Sequence, residues 1–148
     1  MIYDAALLLA NAQSSTVAAA STDYIDTVAA GNDYKGCLFV AQVTTAFTTG
    51  AGAPTMQFLL QTSAASTFSD SATVTLAASA LFLASDLTLG KKVILPIPPG
   101  ARRYIRGYFN PSASSNTVRF NTTGVSMFIL EDTDVTIDKR TLATSSGA

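Results

Sequence analysis

The sequence contains no histidine, no tryptophan, a single cysteine and a single glutamate. Each absence closes off a branch of chemistry. Without His, the commonest general base and the commonest metal ligand are both missing. Ser-His-Asp and Cys-His nucleophilic relays cannot be assembled. A zinc site needs about four ligands drawn from Cys, His and carboxylates, and the chain offers no such set, so no metal and no cofactor is expected. The lone Cys37 cannot form an internal disulfide. Lying in an apolar run, it reads as a small core residue rather than a reactive thiol. Gly50-Ala51-Gly52 is not followed by the Lys-Ser/Thr of a phosphate-binding loop. Charge is scarce as well: charged residues make up 13% of 148 residues, nine basic against ten acidic, for a net charge of −1. That balance disfavours a nucleic-acid binder, which carries a basic excess to neutralise phosphates. A hydrophobic content of 48% and a mean hydropathy of +0.32 argue against disorder. No apolar run reaches the roughly 18 residues of a membrane-spanning helix. The opening Met1 to Leu9 carries Asp4 where a signal peptide carries basic residues. The expectation is a protein with no membrane partner, made in a reducing cytoplasm.

What the chain does have is the composition of β-structure. Thr, Val, Ser, Phe and Tyr recur, whereas the Glu and Lys that cover helix surfaces are rare. Cys37 to Phe47 alternates with period two, placing Cys37, Phe39, Ala41 and Val43 on one face. Thr48 to Pro54 reads as a break, and Thr55 to Ser63 as the next strand, with Met56, Phe58 and Leu60 inward and Gln57 and Gln61 outward. The two runs together read as a hairpin. Further strands are expected over Ala72 to Ala78, Lys91 to Ile97 and Arg102 to Asn110. Pro98-Pro99-Gly100 stops the second of these, because proline cannot donate to a ladder. Val118 to Leu130 is two strands, or one bulged strand, and its last residues are apolar on both faces, as in a central position. Asp23 to Val28 reads as an edge strand. Asp4 to Ala12 is rich in Ala and Leu and could be a short helix on propensity alone, against which Asn11 to Ser15 ends it after barely two turns. Ser79 to Leu89 stays ambiguous. The tail from Asp132 is small and polar, the kind of terminus that orders only on contact with a partner. About eight short strands in one domain predict an all-β, two-sheet sandwich of jelly-roll type with extended N- and C-terminal arms. The division expected is a domain over 1–131 and a tail over 132–148.

Two clusters of charge could carry function. Glu131, Asp132, Asp134 and Asp138 could hold calcium, but they lack EF-hand spacing, and a solvated acidic segment is the simpler reading. No pair of carboxylates stands out for glycoside-type hydrolysis. The basic cluster is Arg102, Arg103, Arg106 and Arg119, interleaved with Tyr104, Tyr108 and Phe109. Alternation puts Tyr104, Arg106 and Tyr108 on one face, with Ile105 and Phe109 on the other. Arg and Tyr are enriched in protein-protein hot spots. They also stack on single-stranded nucleic acid, which the near-neutral net charge disfavours. An intramolecular Arg–Tyr ladder, each aliphatic stem lying over a ring, is the plainest alternative. A sugar platform is weakened by the lack of Trp, although Tyr can substitute. Low charge suits a subunit covered by copies and partners better than a free monomer.

Certain segments also carry a family resemblance. Met1-Ile2-Tyr3-Asp4-Ala5-Ala6-Leu7-Leu8-Leu9, then Val40 to Phe47 with Phe58-Leu59-Leu60-Gln61-Thr62-Ser63, and above all Leu95-Pro96-Ile97-Pro98-Pro99-Gly100-Ala101-Arg102-Arg103-Tyr104-Ile105-Arg106, resemble the jelly-roll capsid cement (decoration) proteins of short-tailed bacteriophages. The likeness spans residues 1 to about 131. It implies a non-enzymatic homo-oligomer, a dimer before a trimer, made in the host bacterial cytoplasm. In the virion it would sit on the outer capsid surface, binding the major capsid protein and reinforcing capsomer joints against the pressure of packaged DNA. The family supplies no catalytic residues. The contacts expected on this reading are Ile2, Tyr3 and Leu7 at the N-terminus, Arg102, Tyr104, Arg106 and Tyr108 on the strand, and Glu131 and Asp132 at the tail. The alternative is a carbohydrate- or surface-binding sandwich module of a virion fibre or adhesin.

Overall fold

A computed structural model describes residues 7–27, 37–69, 71–112 and 117–131, with Glu131 described by its backbone alone. The chain runs β1 (Leu8–Gln13), β2 (Ala19–Asp26), β3 (Cys37–Ala51), β4 (Thr55–Ser63), β5 (Thr73–Ala78), β6 (Phe82–Leu83), a 3-10 turn (Ala84–Asp86), β7 (Lys92–Pro96), β8 (Tyr104–Pro111) and β9 (Arg119–Glu131). These form two antiparallel sheets. Sheet I has the order β1-β9-β3-β7; sheet II has β2-β8-β4-β5, with the two-residue β6 also on β4. The first strand therefore pairs with the last and the second with the last but one, and the chain steps between sheets at each connection except those joining β4, β5 and β6, which share sheet II. That nesting is the double Greek key of a jelly roll, and the expected all-β sandwich is observed. The expected arms fall almost wholly outside the described residues.

Alternation along the strands explains the layering. Phe39, Ala41 and Val43 of β3 and Val125, Met127 and Ile129 of β9 face the same core as Met56, Phe58 and Leu60 of β4 and Ile105 and Phe109 of β8. Edge-to-face rings link the two sheets through this core. Phe120 meets Phe47 at 5.3 Å, Phe47 meets Phe58 at 6.5 Å, and Phe58 meets Phe109 at 6.1 Å. Each such pair adds about 0.5–1.5 kcal/mol beyond its area burial. The opposite face of sheet I is also apolar: Val40, Phe128 and Leu130 are buried there with Leu8 beside them. This accounts for the two-sided apolar pattern at the end of β9, which is one central strand with register shifts against β3.

Three expectations are corrected. Cys37–Ser63 is not a hairpin. β3 runs on to Ala51 and lies in sheet I, while β4 lies in sheet II, so Gly52-Ala53-Pro54 carries the chain across the sandwich. Gly52 makes that crossing with φ of +65°, where a side chain would strike the carbonyl of Thr117. From Leu8 onward, Asp4 to Ala12 is not helical. Residues from Leu8 onward form β1, because a segment of two turns is too short to stand as a helix, whereas pairing with β9 buries Leu9 completely. Finally, Arg119 does not join the basic cluster with which it was grouped. It opens β9 opposite Ala51 in sheet I, while Tyr104 to Pro111 belongs to sheet II.

The free edge of sheet I is blunted. Ile97 donates to Cys37 and Val43 to Lys91 across β3 and β7, so the backbone groups of Lys92, Ile94 and Pro96 point away from β3. Pro96 has no N–H to offer there, and Lys92 places a charge on the same edge. Both features discourage strand addition.

Candidate protein-contact surface

The outer face of sheet II is where the structure gathers chemistry. β8 is flanked by β2 and β4. Tyr104 pairs with Asp26 and Ser63, Arg106 with Tyr24 and Gln61, and Tyr108 with Ala20 and Leu59. The outward side chains therefore form rows across three strands. The start of β8 is pinned by Thr62, whose hydroxyl accepts from the Arg102 N–H at 2.7 Å and donates to the Tyr104 carbonyl at 2.9 Å. Its middle is pinned by Ser21, which accepts from the Gly107 N–H at 2.9 Å.

Onto this face folds the β4–β5 loop. Phe68, at φ of +48°, turns its ring down until it is only 6% exposed. A left-handed backbone costs a non-glycine residue roughly 1–2 kcal/mol, while burying a Phe returns about 1.5–3 kcal/mol, so burial outweighs the strain. The guanidinium of Arg106 lies 4.3 Å from the Phe68 ring centroid and 5.5 Å from that of Tyr108. Arg106 Nε donates to Gln61 Oε1 at 2.8 Å. Tyr24 meets Phe68 edge-on at 6.1 Å and Tyr104 at 5.7 Å. Burial lowers the Arg106 pKa from its ordinary value, with Tyr108 opposing the shift. Nearby, Arg103 holds Asp26 through two bonds, Nε to Oδ1 at 2.8 Å and Nη2 to Oδ2 at 3.0 Å. That hydrogen bond, followed by the charge of Asp26, raises the Arg103 pKa. The result is a rigid patch of ring edges and guanidinium planes on one sheet face.

The sequence-derived contacts divide. Tyr104, Arg106 and Tyr108 do share this outer face and are half-buried, with Ile105 and Phe109 in the core beneath. Arg102 is turned aside, its Nη1 donating to the Ala72 carbonyl at 2.9 Å. Leu7 packs against the main core. Glu131 closes β9 opposite Cys37, far along sheet I. Ile2, Tyr3 and Asp132 lie outside the described residues, as do Asp134 and Asp138. Sequence reasoning missed Tyr24, which is half exposed, and Phe68. The only signal for Phe68 was a large aromatic alone in a loop of small polar residues.

Other surfaces offer less. An open groove of about 490 Å³ between β5 and β7 is lined by Leu76, Ala77, Leu95 and Ile97, with no charged or hydroxylic side chain on it. Among the described residues no cluster of His, Cys, Asp and Glu could hold a metal ion. Among them, too, no helix is long and apolar enough to cross a membrane.

The model of one protein family, Bbp16, matches residues 9–124. The chain belongs to the Bbp16 family. The matched span runs from β1 into β9, so the Bbp16 homology includes both sheets and all of the aromatic–Arg surface just described. No curated protein matches the chain.

Proposed function

We propose that this Bbp16-family jelly roll is a structural protein of a bacteriophage virion. It binds the outer surface of the major capsid protein shell and stabilises the joints between capsomers. The observation that carries this reading is the pre-formed Tyr24–Phe68–Arg106–Tyr104–Tyr108 surface on sheet II. Rigid aromatic side chains and Arg give the most binding energy for the least ordering cost at protein interfaces. The family name points to a phage-related protein, and the resemblance of the Leu95 to Arg106 segment to capsid cement proteins supplies the shell as partner. A homo-oligomer repeated over a symmetric shell gains avidity from many weak contacts. On this reading the protein is not an enzyme and needs no cofactor.

Deleting the gene from its phage and adding the purified protein back tests the proposal. Virions without the protein should lose DNA at lower temperature, and added protein should bind their shells and restore the wild-type temperature. Shells that neither carry nor bind the protein would overturn it. The alternative, a carbohydrate- or surface-binding module of a fibre or adhesin, draws on the amide row beside the tyrosines, where Asn110 donates to Gln57 at 3.0 Å. A specific glycan hit with no binding to shells would favour it.

A further inference from the structure

Two arginines on the outer face of sheet II differ in one respect. Arg103 grips Asp26 with two hydrogen bonds in fork geometry. Among the described residues Arg106 has no carboxylate, and the one ion pair there is that of Arg103 and Asp26. Arg106 is nevertheless the more confined of the two. Its Nε is committed to Gln61, and the rings of Phe68 and Tyr108 lie against its guanidinium. Confinement without a counter-ion removes part of its hydration and leaves its charge uncompensated. Of its five donors, the terminal Nη1 and Nη2 groups remain, and they form the end of the fork that matches a carboxylate. Tyr108 lies against it, Tyr24 is its register partner on β2, and Tyr24 in turn meets Phe68 and Tyr104.

We propose that Arg106 is the receptor for an Asp or Glu carboxylate of the shell protein, bound end-on by Nη1 and Nη2 beside the rings of Phe68 and Tyr108. This rests on the reading that the face meets the capsid shell, and it names the chemistry of the contact. The guanidinium is held in place before the partner arrives, so little side-chain entropy is lost on binding. A docked partner would close over the pair against Phe68 and Tyr108, and an ion pair shielded in this way is worth more than an exposed one.

The experiment measures binding of the purified protein to DNA-filled shells from the gene-deleted phage, at several salt concentrations. Arg106→Gln should weaken binding at least tenfold and flatten its salt dependence. Arg106→Lys keeps the charge but loses the fork, and should recover only part of the loss. Lys92→Gln, which removes a charge from the exposed edge of sheet I, should bind within about twofold of wild type, since rim and distant charges contribute little. Amidating the shell carboxylates should weaken wild-type binding to the Arg106→Gln level and leave Arg106→Gln unaffected. Circular dichroism and unfolding midpoints check that the variants fold, and Arg106→Lys keeps the test open if Arg106→Gln does not. If the wild type binds shells and both Arg106 variants bind equally well, the carboxylate assignment is wrong while the capsid reading stands. If the wild type binds no shell, the capsid reading itself fails. Arg106-dependent binding to single-stranded DNA, with none to shells, would make phosphate the ligand and overturn the proposal.

Discussion

The guanidinium of Arg106 lies 4.3 Å from the centre of the Phe68 ring, and Phe68 presents that ring from a left-handed backbone with φ of +48°. A strained loop residue thus sets the orientation of a charged strand residue. The arrangement converts an ordinary alternating strand into a partly desolvated surface of packed rings and a guanidinium.

Phe68 is expected to matter first for stability. Phe68→Ala keeps the strained φ and loses the buried ring, and should lower unfolding free energy by about 2 kcal/mol. Phe68→Gly loses the same ring but relieves the backbone. It should be at least as stable as Phe68→Ala, reversing the usual order of the two residues. Urea denaturation of the three proteins measures both effects, and a markedly less stable glycine variant would show that the backbone strain is unimportant.

Gly107 provides a second check. It sits on β8 between Tyr108 and Arg106, and an added Cβ would overlap Met127 Sδ from sheet I. Gly107→Ala should cost about 1–3 kcal/mol by overpacking. Met127→Ala should itself cost about 2–5 kcal/mol. The double variant should cost less than the sum, because the smaller residue makes room. A strictly additive cycle would place the two sites out of contact.

How much of this surface could be read in advance is clear from particular residues. Thr55 to Ser63 and the face shared by Tyr104, Arg106 and Tyr108 follow from period-two alternation, which reports a strand and its sides directly. Alternation does not report partners, so β3 and β4 looked like a hairpin although they sit in different sheets. Local propensity misled at β1, where Ala and Leu favour a helix but pairing with β9 decides. Phe68 was hidden because its role depends on a loop folding back over a sheet, and no periodic pattern marks that event. Arg119 was read on its own strand but counted with the basic cluster, because residue type does not report which sheet a strand joins.

The Arg103–Asp26 pair is exposed on both sides, with 44% and 38% of the two side chains accessible. Its contribution should be small and weakened by salt. The sign for pH is fixed by the raised Arg103 pKa. Its share is fully present below the ordinary guanidinium value and is lost only as pH climbs through the raised one. Arg103 therefore adds no pH dependence near neutrality. Asp26→Asn should leave the thermal midpoint nearly unchanged in high salt. A large loss there would mean the pair is shielded from solvent.

Restoring the edge of sheet I should promote association. Pro96→Thr with Lys92→Thr supplies an outward N–H and removes a charge on β7. Light scattering should show larger, concentration-dependent species than for the parent protein. Unchanged size would mean that other features guard this edge.

The most direct test of the central claim is a reconstruction of the virion at side-chain detail. The expected result places this jelly roll on the outer shell with Tyr104, Arg106 and Tyr108 against the major capsid protein and a carboxylate at Arg106. A virion without the protein, or one in which the outer face of sheet II looks into solvent, would contradict it.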